Sequence, residues 1–325
     1  MPDTIMVTGA FSHTGKYVAR LLLEGGYRVR TLTSHPDRES GLGDQIEAFP
    51  YSFEHPEKLV ESLEGAAVLI NTYWVRFPRG ETTFEGAIRN SRVLIDAAKR
   101  AGIRRIVQVS IANPSLESPL AYYRAKAEVE RTVIDSGIPH SILRPTVIFG
   151  AEDILINNMA WFVRSFPVFA IPGDGKYRVR PIYVEDLAGL LVRAAQRTGN
   201  ETLNAVGLET LTFEELVRRI GRAMRASPRL LHVPASLAYA ATRMLGWWFG
   251  DVILTWEEYK GLMEGLLAPG GPATGETQLT EWLEQNGSLL GRKYSSELAR
   301  HYRISALSIG GDKDGTGKGV WGTQG

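Results

Sequence analysis

The chain has 325 residues, with 37 Lys and Arg against 36 Asp and Glu and a formal net charge of +1. That balance gives no global reason to expect nucleic acid or an anionic surface as partner. The absence of cysteine excludes disulfides, thiolate metal sites and a cysteine nucleophile, and the six histidines lack metal-ligand spacing, so no metal is expected.

The chain opens on a short apolar run, residues 5–7, that stops at Gly9, turns through small and polar residues, and restarts as an amphipathic helix over 17–23. This is the strand–loop–helix start of a dinucleotide-binding unit. Gly9 permits the tight turn, Gly15 lets helix and strand approach, and the free amides of the first helical turn can hold a diphosphate. Gly9, Phe11, Ser12, His13, Thr14 and Gly15 are therefore candidate cofactor residues. Ser12 stands where a Gly-x-x-Gly-x-x-Gly pattern has its middle glycine, which narrows the backbone's approach to a phosphate. No basic, long apolar leader precedes this run, and a cytoplasmic protein is the expectation.

A second strand is expected over 28–33, after the Gly25-Gly26 helix stop. An acid at the end of this strand suits the ribose 2′-hydroxyl of NAD, whereas basic and small polar residues suit the 2′-phosphate of NADP. Here Thr33, Ser34, His35 and Arg38 surround the turn with no acid directly at it. NADP(H) is the expected cofactor and NAD(H) the alternative, with Thr33, Ser34 and Arg38 as the candidate contacts. A weak third strand near 49–53 and a helix over 57–63 follow. A strong fourth strand over 67–72 then ends in Asn71 and Thr72, at the carboxyl edge where ligands bind in such sheets. The aromatic and basic stretch 73–79 reads equally well as a substrate-pocket lining or a packed loop.

An amphipathic helix over 84–101 and a fifth strand over 103–110 complete the order β-α-β-β-α-β-α-β, which predicts an α/β fold with a doubly wound parallel sheet. Beyond the fifth strand, Tyr122 and Lys126 stand four apart and share one helix face. A lysine so placed can bind nicotinamide-ribose hydroxyls and lower the phenol's pKa, and the tyrosine can then exchange a proton with a substrate oxygen. Tyr123 with Lys126 offers an alternative register.

On these residues the chain resembles the short-chain dehydrogenase/reductase superfamily, on its extended and atypical, NmrA-like side. Val7-Thr8-Gly9-Ala10, the Tyr122/Lys126 pair with Glu130 beyond it, residues 142–150 and residues 181–188 carry the likeness. It is nearest to bacterial relatives of the nucleotide-binding accessory subunit of respiratory complex I, a group that keeps fold and cofactor while some members have lost catalysis. The resemblance implies an NAD(P)-dependent oxidoreductase or epimerase acting on a small carbonyl or hydroxyl compound. It also implies Ser110 or Asn113 as the helper on the substrate oxygen and places Pro145 and Val147 beside the nicotinamide, and it leaves a non-catalytic redox-sensing or assembly role as the alternative.

The C-terminal half is expected to form a smaller, mainly helical substrate lobe. The boundaries expected are a dinucleotide-binding core over 1–150 and a lobe over 151–305 interleaved with the last core elements at about 180–206. A disordered tail over 306–325 is expected to follow. Asn157 and Trp161 are candidates to face a ligand, Asp186 is expected to cap its helix, and the arginines of 177–180 to meet an anionic substrate or solvent. Thr212-x-x-Glu215 is a capping box opening a helix to Ala226, and helices are expected over 255–267 and 280–290. The apolar segment 230–256, with Trp247, Trp248 and Phe249, is interrupted by Pro234, Arg243, Gly246 and Asp251, which argues against a spanning helix. It reads instead as a buried lobe helix, a homodimer surface or an interfacial membrane contact.

Overall fold

The computed structural model describes residues 3–36 and 41–301. Arg38 and the segment expected as a disordered tail lie outside the described residues.

The central element is a seven-stranded parallel sheet of β1 (Thr4–Thr8), β2 (Arg28–Thr33), β3 (Glu47–Pro50), β4 (Ala66–Asn71), β5 (Arg105–Val109), β6 (His140–Pro145) and β11 (Glu201–Ala205). The strand order is β3-β2-β1-β4-β5-β6-β11. Strand β4 is buried at every position, as a strand covered on both faces must be. Helices α1 (His13–Glu24) and α6 (Val184–Ala195) pack together over one face, with Val18, Leu22, Leu187 and Leu191 fully buried. Helices α2 (Pro56–Leu63), α3 (Phe84–Arg100) and α4 (Ala121–Asp135) cover the other. Each fully buried leucine there contributes on the order of 2 kcal/mol. The order reverses between β1 and β4, so a crevice opens at their carboxyl ends, where such sheets bind ligands. The doubly wound parallel sheet read from the sequence is the fold observed.

The rest of the chain forms a lobe on three two-stranded pairs: β7 (Ile148–Phe149) with β10 (Ile182–Tyr183), β8 (Val168–Pro172) with β13 (Arg229–Val233), and β9 (Arg178–Val179) with β12 (Leu211–Thr212). Its second core joins α5 (Ile154–Ser165), α7 (Phe213–Ala223) and α10 (Leu279–Asn286) through Ile156, Val217, Ile220 and Trp282. Helices α8 (Ala235–Phe249), α9 (Trp256–Met263) and α11 (Glu297–His301) complete it.

Several lobe expectations need correction. Asp186 does not cap its own helix: its carboxylate accepts from the amides of Glu276 and Thr277, both at 2.8 Å, and so fastens a loop from far along the chain. Asn157 does not face a ligand. Its amide donates to Lys293 O at 2.9 Å and accepts from Gly291 N at 3.0 Å, inside the lobe. Trp161 sits in an aromatic cluster with Phe162, Phe249 and Tyr294. Arg180 donates to Gly207 O and Gly271 O at 2.9 and 2.8 Å. The capping box of α7 is present, with the helix stopping at Ala223 because Arg225 turns into the left-handed region at φ 58°. The segment 230–256 is strand β13 followed by α8, of which only Ala238 and Gly246 are buried, so it is not a buried lobe helix.

Candidate functional site

The β1–α1 turn is built by backbone constraints. Gly9 has φ +67°, and its amide donates to Leu32 O at 2.7 Å. A Cβ on Gly15 would lie 2.0 Å from Gly9 O, so only glycine lets α1 start this close to the turn. Ser12 precedes the helix without capping it: its hydroxyl donates back to Gly9 O at 2.6 Å. The first turn of α1 carries no acidic residue. Ser12 does not cap its opening amides and the turn supplies no acid of its own, while Lys16 in that turn is paired with Glu152; an uncapped helix start of this kind fits a diphosphate. Phe11 points into the core, so its contribution there is through the backbone, while His13 and Thr14 are half-buried.

A rail of buried polar side chains, missed from sequence, braces this turn. Thr31 Oγ1 donates to Val7 O at 2.7 Å and accepts from Ala10 N at 3.0 Å. Thr8 Oγ1 donates to Asn71 Oδ1 at 3.1 Å and accepts from Thr72 N at 2.6 Å. Asn71 Nδ2 donates in turn to Gln108 Oε1 at 2.8 Å. Asn71 is fully buried and spends its amide on these neighbours, and Thr72 donates to Thr8 O at 2.5 Å. Isolated threonines and a glutamine inside apolar strands were the available signal. At the end of β2, Thr33 is buried with its hydroxyl accepting from His35 N at 3.2 Å, and Ser34 is exposed. Tyr51, Phe53 and Tyr73 form a ring cluster at the ends of β3 and β4, each pair 5.1 Å apart.

At the other end of the crevice, α4 presents Tyr122 and Lys126 to one shared neighbour, Trp74 from the loop after β4. Lys126 Nζ lies 4.4 Å from the Trp74 ring centroid and donates to Val109 O at 3.3 Å. The Tyr122 ring meets Trp74 edge-on at 5.9 Å, and Trp74 stacks on Phe84. Burial pulls the Lys126 ammonium down to about 7, against a smaller upward pull from Glu130, which Arg144 holds at 2.9 and 2.5 Å. Burial first, and the Glu258 carboxylate after it, hold the Tyr122 phenol well above its usual range. The expected lowering of this phenol by Lys126 is therefore not found, because burial outweighs it and a lysine near 7 is only half charged at neutral pH.

Tyr123 is 2% exposed and pressed against Gly261 of α9, where a Cβ would lie 2.3 Å from its hydroxyl. Asn113, at φ 54°, spends its amide on Leu266 O at 2.7 Å. Ser110 is buried with its hydroxyl unpartnered, a polar group set to receive a ligand. Pro145 and Val147 are buried; the Pro145 carbonyl accepts from Ala112 N at 2.9 Å, and that of Val147 from Ile182 N at 2.8 Å. The lobe closes over this end through α9: Glu258 binds Arg76 at 2.6 Å, and Glu257 accepts from the Tyr122 amide at 3.3 Å. Glu257 thus supplies from the lobe a charge at the start of α4, which has no side-chain cap of its own. No group of His, Asp and Glu among the described residues could hold a metal.

These features agree with comparisons to known proteins. A family model described as NAD(P)H-binding matches residues 9–154. The chain is 30% identical over 234 residues to a (4-alkanoyl-5-oxo-2,5-dihydrofuran-3-yl)methyl phosphate reductase of Streptomyces griseus, covering 68% of this chain and 75% of that one. It is 27% identical over 245 residues to the mitochondrial NADH dehydrogenase [ubiquinone] 1 alpha subcomplex subunit 9 of Arabidopsis thaliana, covering 72% of this chain and 61% of the subunit. Among solved structures, the triphenylmethane reductase of Citrobacter sp. complexed with NADP(H) superposes with a TM-score of 0.72 at 19% identity. That superposition covers 87% of this chain and 99% of the reductase, a likeness of fold.

Proposed function

Because the chain belongs to the NAD(P)H-binding family of extended, NmrA-like short-chain dehydrogenase/reductases, we propose that it is an oxidoreductase that prefers NADP(H) and reduces a small carbonyl compound. The observation that carries the reading is the β1–α1 turn, where Gly9 and Gly15 bring strand and helix close and Ser12 spends its hydroxyl on Gly9 O rather than on the first helix amides. The absence of an acid at the end of β2 favours the 2′-phosphate form. A bound nicotinamide nucleotide supplies the hydride. Tyr122 gives its proton to the substrate oxygen as that oxygen gains negative charge, and the Ser110 hydroxyl donates to the same oxygen. Burial keeps the Tyr122 phenol protonated, the form that the reductive direction uses. Lys126 binds the nicotinamide-ribose hydroxyls once Trp74 moves off its ammonium.

A second reading is favoured by Trp74 itself. An indole held over Lys126 and against Tyr122 suits a module that binds the nucleotide without turnover, as a redox-sensing or assembly protein. The Arabidopsis relative, by its name, is a subunit of a larger NADH dehydrogenase. The two readings separate in one assay of NADPH and NADH oxidation over a panel of aldehydes, ketones and quinones. The oxidoreductase reading expects turnover with NADPH that falls about 10²- to 10⁴-fold in Tyr122→Phe while nucleotide affinity is retained. Turnover untouched by Tyr122→Phe would remove this mechanism, and binding with no turnover would establish the second reading.

A further inference from the structure

Seven of the twelve large apolar side chains exposed among the described residues fall in one corner of the lobe, on α8 and on the β8–β13 pair and its approach. Chance scatter does not produce that concentration, and patches of this kind mark interaction surfaces. On α8, Leu237, Met244, Trp247 and Trp248 are 58%, 73%, 85% and 79% exposed, and their spacing puts them on one stripe. Leu231 and Val168 extend the apolar surface onto the strands, with α8 packed against β8.

The charge around this stripe selects its occupant. Residues 226–250 contain no Asp or Glu, while Arg229 and Arg243 are both exposed. Adjacent tryptophans and two exposed arginines in a segment that contributes no carboxylate of its own match the headgroup–acyl boundary of an anionic bilayer, where indoles sit between water and chains. A helix of 15 residues is about 22 Å long, short of the roughly 30 Å hydrocarbon core, and no described helix is long and apolar enough to cross a membrane. We propose that α8 docks the protein flat on a lipid surface bearing anionic headgroups, with Trp247 and Trp248 as its anchors.

The end of α8 is fixed for this role. Gly250 closes it at φ 60°, and Asp251 is buried with its carboxylate accepting from Tyr294 Oη at 2.8 Å and from the amides of Glu297 and Leu298 at 3.1 and 3.0 Å. On its other flank, Tyr239 packs on Trp256 and Tyr259 of α9, the helix that roofs Tyr122. The tryptophan pair is thus presented on a held helix.

The test is sedimentation of the full-length protein with phosphatidylcholine vesicles, with and without phosphatidylglycerol. The protein is expected to pellet with the anionic vesicles and to lose binding as salt is raised. Trp247→Ser/Trp248→Ser should lower binding about tenfold or more, and Arg243→Glu several-fold, with melting temperatures unchanged because these side chains are exposed. No pelleting with either vesicle, or pelleting untouched by the double variant, overturns the proposal. So does light scattering that shows a dimer dissociated by the double variant, which would give the face to a second copy. Lipid-free emission with no water-exposed tryptophan component lost in the double variant also overturns it, since another part of the chain would then cover the pair.

Discussion

At the β1–α1 end of the crevice the geometry is imposed by backbone, whereas at the α4 end it is imposed by side chains already engaged with one another. Around Gly9 and Gly15 the donors are helix amides, and the buried threonines serve only to hold the turn in place. Around α4, Lys126, Trp74 and Tyr122 lean on each other, and α9 of the lobe is bound to the same region through Glu257 and Glu258. Nucleotide binding is thereby built into the fold of the sheet. On the oxidoreductase reading proposed above, chemistry at the far end would require Trp74 to give way.

Three substitutions sharpen this contrast. The largest stability effect is expected at the rigid end: Gly15→Ala places a Cβ against Gly9 O and should cost about 3 kcal/mol or more, read as a lowered urea midpoint, with nucleotide affinity lost as well. A wild-type midpoint in that variant would mean that the turn can open. The next is at the chemical end. Lys126 is pulled down to about 7 in the fold from an ordinary value of 10.5. Below pH 7 both folded and unfolded chains hold the proton; between 7 and 10.5 the unfolded chain holds more, so stability rises with pH. The wild type should gain about 2 kcal/mol between pH 7 and 9, and Lys126→Met should not. Equal unfolding free energies in urea titrations at the two pH values would show that the ammonium is not desolvated. The smallest is Thr31→Val, which leaves the Ala10 amide without its partner and should cost about 1 to 2 kcal/mol, measured by thermal melting, with turnover chemistry at Tyr122 unchanged.

The nucleotide half could be read from the sequence because its determinants are local. The buried runs, the glycine spacing and the helix stop before β2 each act within a few residues, and together they pointed to the doubly wound parallel sheet and to the β1–α1 turn, while the strand order came from the structure. The third strand sits slightly earlier than expected, at Glu47–Pro50, since Tyr51 turns away to meet Phe53 and Tyr73. The chemical end was only half visible. The spacing of Tyr122 and Lys126 marked the helix face, but Trp74 reaches that face from a different loop, and no local pattern links the two. Asp186 and Asn157 do their work on partners distant in the chain, so reading them as a cap and a ligand contact missed their roles. Apolar content alone likewise did not distinguish a buried helix from α8, because burial there depends on what packs beside it.

The most direct measurement is calorimetric titration of NADPH and NADH into the wild type and into Thr14→Glu. The substitution adds a carboxylate to a helix start that has none, which should leave the ligand-free fold as stable or raise it by about 0.3 to 1 kcal/mol. The account predicts that the wild type binds NADPH more tightly than NADH, and that Thr14→Glu loses tenfold or more in affinity for both while melting no lower. Wild-type protein that binds neither nucleotide, or a variant that binds them as tightly as wild type, would contradict it.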